Sequence, residues 1–215
     1  QDLWKKWDEW GGFSKSAMTW APITDEQFSR GDIISAVEKK GVTPPPLFIG
    51  YTSDEFIDNG INTIELGIRK LVKAEEKRGL KGKNYVYKFD VPIPGWDNPG
   101  KFHSVDLWFF FETLAKCWRP FTGVHYDISR KMCNYMCNFI KTGNPNDNGL
   151  SSGLSPRAGV SYPPSKEENL KRYEESQEKL PEWKAFSSEE PNCMFFDTDC
   201  TLHSFDAEGE IKKYI

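Results

Sequence analysis

An alternation of segments constrains this chain most. The run Pro46-Leu47-Phe48-Ile49-Gly50-Tyr51-Thr52-Ser53-Asp54-Glu55-Phe56 begins apolar and ends in small and polar residues, then two carboxylates. It reads as a buried strand, Leu47 to Tyr51, delivering an acid at its C-terminal end. Ile61 to Arg78 follows with helical spacing. Ile64, Ile68, Leu71 and Val72 share one face, and Lys73, Lys77 and Arg78 lie late, where the helix dipole favours cations. Asn84 to Val91 alternates Tyr85, Tyr87 and Phe89 against Val86, Lys88 and Asp90, the pattern of a second strand. Pro92 to Gly100 is a proline-rich loop that hands the chain to His103 on a turn. Leu107 to Cys117 then predicts a helix buried on nearly all sides. Strand, helix, strand and helix in this order predict an α/β class, with a mainly parallel sheet and helices outside it. Functional side chains collect beyond the carboxyl ends of such strands.

The remaining segments fit around that frame. Trp4, Trp7 and Trp10 recur at every third position, a helical stripe best read as core packing. Phe28 is expected to be partly buried in a loop. Asp32 caps a short helix, Ile33 to Lys40, stopped by Gly41, and Pro44-Pro45-Pro46 forces an extended approach to the first strand. Asp127 to Lys141 is amphipathic, with Ile128, Met132, Tyr135, Met136 and Phe139 on the core side. Residues 142–164 are rich in Gly, Pro, Asn and Ser and predict a flexible loop. Lys166 to Lys179 reads as a solvated helix face. Cys193 to Asp197 and Cys200 to Phe205 predict short strands near a sheet edge.

Bulk properties exclude several partners. The chain has 215 residues and a net charge of −4, with no basic stripe interleaved with aromatics, so we expect no nucleic acid partner. No apolar run approaches the ~18 residues of a membrane span, so no membrane partner is expected. The N-terminal segment lacks a signal-peptide apolar region, and five cysteines without a framework spacing favour a reducing, cytoplasmic setting. The first residue is Gln rather than Met, and we expect the chain to start inside a longer one. Cys133 and Cys137 stand four apart on a predicted helix, but no His or Cys pair with zinc spacing accompanies them. Buried thiols and no metal are the expectation. Aromatic residues make up 14% of the chain, which suits an aromatic-lined pocket.

His103 could act as a general base at the rim of a sheet, with Asp54 or Glu55 as its orienting acid. The residues alone do not choose between the two acids. Gly50-Tyr51-Thr52-Ser53-Asp54-Glu55 and Phe102-His103-Ser104-Val105-Asp106-Leu107, together with Trp118-Arg119-Pro120-Phe121, resemble motifs of the type-B carboxylesterases. Asn138-Phe139-Ile140-Lys141-Thr142-Gly143-Asn144-Pro145-Asn146, Leu180-Pro181-Glu182-Trp183 and Met194-Phe195-Phe196 extend the resemblance from about Trp20 to about Phe196. That family is a branch of the α/β-hydrolases that also holds the cholinesterases.

The resemblance implies that residues 1–215 are the C-terminal portion of a single α/β-hydrolase domain acting on small carboxylic esters, with no cofactor. It implies Glu55 as acid and His103 as base, and leaves Asp54 a structural hydrogen bond. Trp96, Phe102 and Trp108 flank the histidine and are expected to line a pocket, while Phe109 is expected in the core. The nucleophile is not evident. The one G-x-S-x-G match, Gly149-Leu150-Ser151-Ser152-Gly153, follows His103 in a polar loop, without the strand and helix that make such an elbow work. We therefore read Ser151 as a chance match, and expect an N-terminal part of the same enzyme to carry the serine and the Gly-rich oxyanion segment. The Glu55 to His103 gap is also shorter than the family's, so we expect either that the helices covering the active site are abbreviated or that residues are absent from the chain between them. A non-catalytic, cholinesterase-like binding relative and an inactive fragment are the alternatives.

Overall fold

The computed structural model describes residues 5–6, 25, 27, 31–58, 61–81, 83–146 and 180–204. The expectations for the tryptophan stripe, Phe28, Ser151, residues 147–164 and residues 166–179 lie outside them. The chain divides into two compact units, Gln1–Val42 and Thr43–Ile215.

The first unit contains helix α1, Ile33–Lys40. The carboxylate of Asp32 accepts from the Ser35 amide, and Gly41 ends the helix at φ 72°. Both ends follow from the expected capping chemistry.

The second unit is built on strands β1 (Leu47–Thr52), β4 (Asn84–Phe89), β5 (Asn192–Phe196) and β6 (Cys200–Ser204), in the order β1-β4-β5-β6. β1, β4 and β5 are parallel, and β6 pairs antiparallel with β5 at the edge. Two-residue strands β2 (Ile57–Asp58) and β3 (Ile61–Asn62) form a separate ribbon just after Glu55. Helix α2 runs from Thr63 to Lys77, shorter at its start than the periodicity predicts. Asn62 stops the strand and caps the helix, its side-chain oxygen accepting from the amides of Ile64 and Glu65.

Alternation along β4 sends its side chains to two cores. Tyr85, Tyr87 and Phe89 join Phe109, Phe110, Met132, Tyr135, Trp183 and Phe196 on one face. Val86 joins Ile68, Val72, Phe186 and Cys193 under α2 on the other. Gly50 permits the close β1–β4 approach, because a Cβ there would lie 2.4 Å from the ring of Tyr87.

Two expected helices differ from the pattern. The stretch Leu107 to Cys117 is not one buried helix. Helix α3 spans only Asp106–Phe110, Glu112 adopts φ 50°, and a 3₁₀ turn covers Leu114–Lys116. The Ser129 hydroxyl donates to the Phe109 carbonyl at 2.7 Å, and the Thr113 amide reaches back to Trp108. These contacts divert the backbone, and Leu107 and Phe111 are left exposed. Helix α4 begins a turn earlier than expected, spanning Gly123–Thr142. His125 supplies the missing start signal: its Nδ1 accepts from the Thr122 amide at 3.0 Å, and its Nε2 donates to the Pro92 carbonyl at 3.1 Å.

The segment after α4 is ordered through Asn146. Gly143 takes φ 74° and donates to the Phe139 carbonyl. Asn146 forms a two-point clamp on Trp183, accepting from its amide at 2.7 Å and donating to its carbonyl at 2.8 Å. Trp183 is buried against Phe48, Tyr135 and Phe196. Thr142 to Asn146 thus departs from the flexible loop expected of residues 142–164, because its polar side chains find backbone partners.

Candidate active site

The β1–β4 register places the ends of the two strands side by side, with Thr52 opposite Phe89. The Ser53 amide continues the ladder by donating to the Phe89 carbonyl at 2.9 Å. The chain then turns, and Glu55 folds back under the strand end. Its Oε1 accepts from the Thr52 amide at 2.7 Å, and its backbone carbonyl accepts from the Asn62 side chain at 2.7 Å. The carboxylate is therefore buried and fixed before it meets any ring.

The histidine arrives from the end of β4 along the proline-rich loop. Asp54 ties the two turns together, accepting from the Lys101 amide at 2.6 Å. Gly100, at φ 66°, leaves room for this, since a Cβ there would lie 2.6 Å from Asp54 Oδ2. Arg119 pins the middle of the same loop through two parallel hydrogen bonds to Asp97 (2.9 and 2.8 Å) and one to the Pro94 carbonyl (3.1 Å). These bonds hold the Asp97 carboxyl below its ordinary range.

His103 Nδ1 hydrogen-bonds Glu55 Oε2. With Glu55 ionised, Nδ1 carries the proton and Nε2 presents a lone pair. The histidine side chain is 67% exposed while that of Glu55 is 6% exposed. One edge of the ring is thus anchored in the fold and the other is open. Among the described residues no hydrogen bond engages Nε2. The Phe56 ring meets the imidazole edge to face at a centroid distance of 5.0 Å.

A third carboxyl lies close by. Asp106 is buried and accepts from the Tyr87 hydroxyl at 2.7 Å. Burial raises its pKa first, and the charge of Glu55 raises it further, against the lowering effect of the Tyr87 hydrogen bond. Sequence reasoning missed the Tyr87–Asp106 and Arg119–Asp97 pairs. The Trp118-Arg119-Pro120-Phe121 phrase was the available signal for the second.

Of the aromatic trio, Phe102 and Trp108 meet, while Trp96 stands apart in solvent. Phe102 and Trp108 pack edge to face at 5.7 Å against the larger core, and Trp108 also meets Phe121. Trp96 is 90% exposed. Phe109 is buried in the core. An open cavity of about 420 Å³ lies elsewhere, at the start of β4, lined by Val72, Glu75, Asn84 and Phe186. Among the described residues no cluster of three or more His, Cys, Asp or Glu side chains is placed to hold a metal.

A buried acid holding an exposed imidazole can orient a general base. It needs a nucleophile to act on. The model described as the carboxylesterase family matches residues 59–212, a span that includes His103 and starts four residues after Glu55. No curated protein matches. Among solved structures, carboxylesterase EST55 of Geobacillus stearothermophilus at pH 6.2 is similar at 16% identity and a TM-score of 0.57, over 90% of this chain and 45% of that one. A PNB esterase is similar at 17% identity and a TM-score of 0.54, over 89% of this chain and 42% of that one. Both likenesses concern the α/β-hydrolase fold. The chain spans less than half the length of either protein.

Proposed function

Because this chain belongs to the carboxylesterase family, we propose that it takes part in carboxylic ester hydrolysis and supplies the acid and base of a Ser-Glu-His triad. The observation that supports this most is the Glu55–His103 contact, formed by two turns at the carboxyl ends of adjacent parallel strands. The serine belongs to an N-terminal part of the same enzyme, of which residues 1–215 are the C-terminal portion.

In the proposed reaction, His103 Nε2 takes the proton of the serine hydroxyl as its oxygen attacks the ester carbonyl. Glu55 holds the ring in the required tautomer and stabilises the imidazolium that forms. The imidazolium then protonates the leaving alcohol, and an acyl-enzyme remains. Water repeats the sequence: Nε2 removes its proton, the acyl bond breaks, and the serine recovers a proton from His103. The steps require neither a metal nor an organic cofactor.

For the ester we propose contact with Phe56, whose ring borders His103, and with exposed Trp96 on the histidine loop. Phe102 and Trp108, packed on the core, serve as the footing of that loop. A cytoplasmic setting suits the five cysteines, none of which is in a disulfide.

The test is ester turnover by the complete enzyme, in which this chain is joined by its serine-bearing part. Glu55→Gln keeps an acceptor for the Thr52 amide but loses the charge. It is expected to lower kcat by about 10³–10⁴, with little effect on KM, by analogy with loss of the orienting acid in serine proteases. An unchanged kcat would assign the orienting role elsewhere. Absence of turnover in the unmodified enzyme would favour a non-catalytic binding relative.

A further inference from the structure

Among the described residues four other than glycine take a positive φ, and two of them directly follow the proposed acid and base: Phe56 at 49° and Ser104 at 70°. Phe56 suits that conformation least. A bulky side chain is disfavoured in the left-handed region, whereas Gly or Asn adopts it readily. Burial offers little compensation, because Phe56 is 53% exposed. The conformation is imposed from the start of α2. The Phe56 carbonyl accepts from both the amide and the hydroxyl of Thr63, at 2.9 and 3.1 Å. The Asn62 side chain holds the Glu55 carbonyl just before it, and the β2–β3 ribbon closes the turn between these points. Backbone strain that its surroundings enforce in this way collects at functional sites.

What the conformation achieves is a ring contact. It brings Phe56 against the His103 imidazole at a centroid distance of 5.0 Å and an interplanar angle of 76°. The hydrogen bond between Nδ1 and Glu55 fixes one atom of the imidazole. It leaves the ring free to swing about that contact, on a side chain that is 67% exposed. A second ring set nearly at right angles blocks the swing on one side. Resting on the hydrolysis proposed above, we propose that Phe56 is a positioning residue: its strained backbone holds an aromatic wall that keeps His103 Nε2 aimed at the serine. This role is separate from contact with the ester, because it acts through the base and serves every ester alike.

The size of the effect follows from the contact. An edge-to-face aromatic pair biases orientation by about 2- to 10-fold. Without the ring, kcat should fall by about that factor for small and large esters alike, with KM for a small ester little changed. Stability should not follow. Asn tolerates the left-handed backbone, so Phe56→Asn is expected to match or exceed the unmodified Tm. Phe56→Gly gains the same relief but also frees the unfolded chain, and should melt close to the unmodified protein. Loss of rate without loss of stability separates positioning from ordinary packing.

The test uses the complete enzyme and three variants: Phe56→Asn and Phe56→Gly, which remove the ring, and Phe56→Tyr, which keeps it. Turnover of methyl acetate and phenyl acetate is measured beside Tm. Proton NMR with nitrogen-15 histidine follows exchange of the His103 Nδ1 proton with water. The ring-less variants are expected to lose about 2- to 10-fold in kcat on both esters and to exchange that proton faster by about the same factor. Phe56→Tyr should restore both to within about twofold. Unchanged proton exchange in the ring-less variants would overturn the proposal. So would a raised KM for phenyl acetate with kcat unchanged, which would leave Phe56 an ester contact only. If the unmodified enzyme turns over neither ester, the proposed hydrolysis fails, and the exchange rates still decide whether Phe56 holds the ring.

Discussion

Three carboxyl groups near the candidate base show how position assigns chemistry. Asp54 and Glu55 are neighbours in sequence, yet one joins two turns through the Lys101 amide and the other reaches the imidazole. Asp106 faces the Tyr87 hydroxyl instead. Its pKa is raised in the fold, so its proton stabilises the folded state below the ordinary aspartate value of 3.8, and that contribution is lost as pH rises through the folded value. Asp106→Asn should therefore raise Tm relative to the unmodified protein at pH 7 and above, with the gain vanishing below about pH 3.8. Thermal melts across that range check the sign. Sequence patterns exposed Glu55 and His103 because each sits where a strand or loop ends and a polar residue interrupts apolar ones. The choice of Glu55 over Asp54 came from family resemblance. Tyr87–Asp106 was hidden, since a hydroxyl 19 residues from its acceptor is matched only once α3 sits over β4.

Elements position the site, and their boundaries were only partly legible. The β1, α2 and β4 segments follow their periodicities because each has one clear hydrophobic pattern. Around Phe109-Phe110-Phe111 every face is apolar, so nothing in the pattern marks where α3 ends. At α4 the start was obscured because His125 fills the place where a capping Glu or Gln is sought. The histidine loop depends on α4's approach for a further support, Arg119, whose side chain is largely buried as it grips Asp97 and Pro94. A lysine cannot make the two parallel bonds. Arg119→Lys should lower Tm and reduce kcat by about 10- to 100-fold through displacement of His103, as a misplacement near 1 Å can do. Paired melting and turnover measurements check it, and an unchanged kcat would place the loop's support elsewhere.

On the scale of the whole molecule, β1 is the telling strand. The amides of Leu47 and Ser53 donate towards β4, at 3.1 and 2.9 Å. Alternation therefore turns the amides of Phe48, Gly50 and Thr52 the other way. Glu55 satisfies Thr52, but among the described residues no strand pairs with that edge. In hydrogen exchange, the Phe48 and Gly50 amides should exchange about 100-fold or more faster than the β4 amides in this chain alone. They should gain protection once the proposed serine-bearing part is joined, and equal protection in both states would contradict the proposed division of the sheet. Among the described residues β1 is the edge strand of the sheet, and the proposed serine-bearing part would pair there.

His103, held by Glu55, is proposed to activate a serine outside residues 1–215. The most direct measurement is fluorophosphonate labelling of the complete enzyme, followed by peptide mass analysis, with and without His103→Asn. An adduct on a serine of the N-terminal part is expected, formed about 10³-fold or more slowly in the variant. An adduct on Ser151, equal labelling of both forms, or no adduct at all would contradict it.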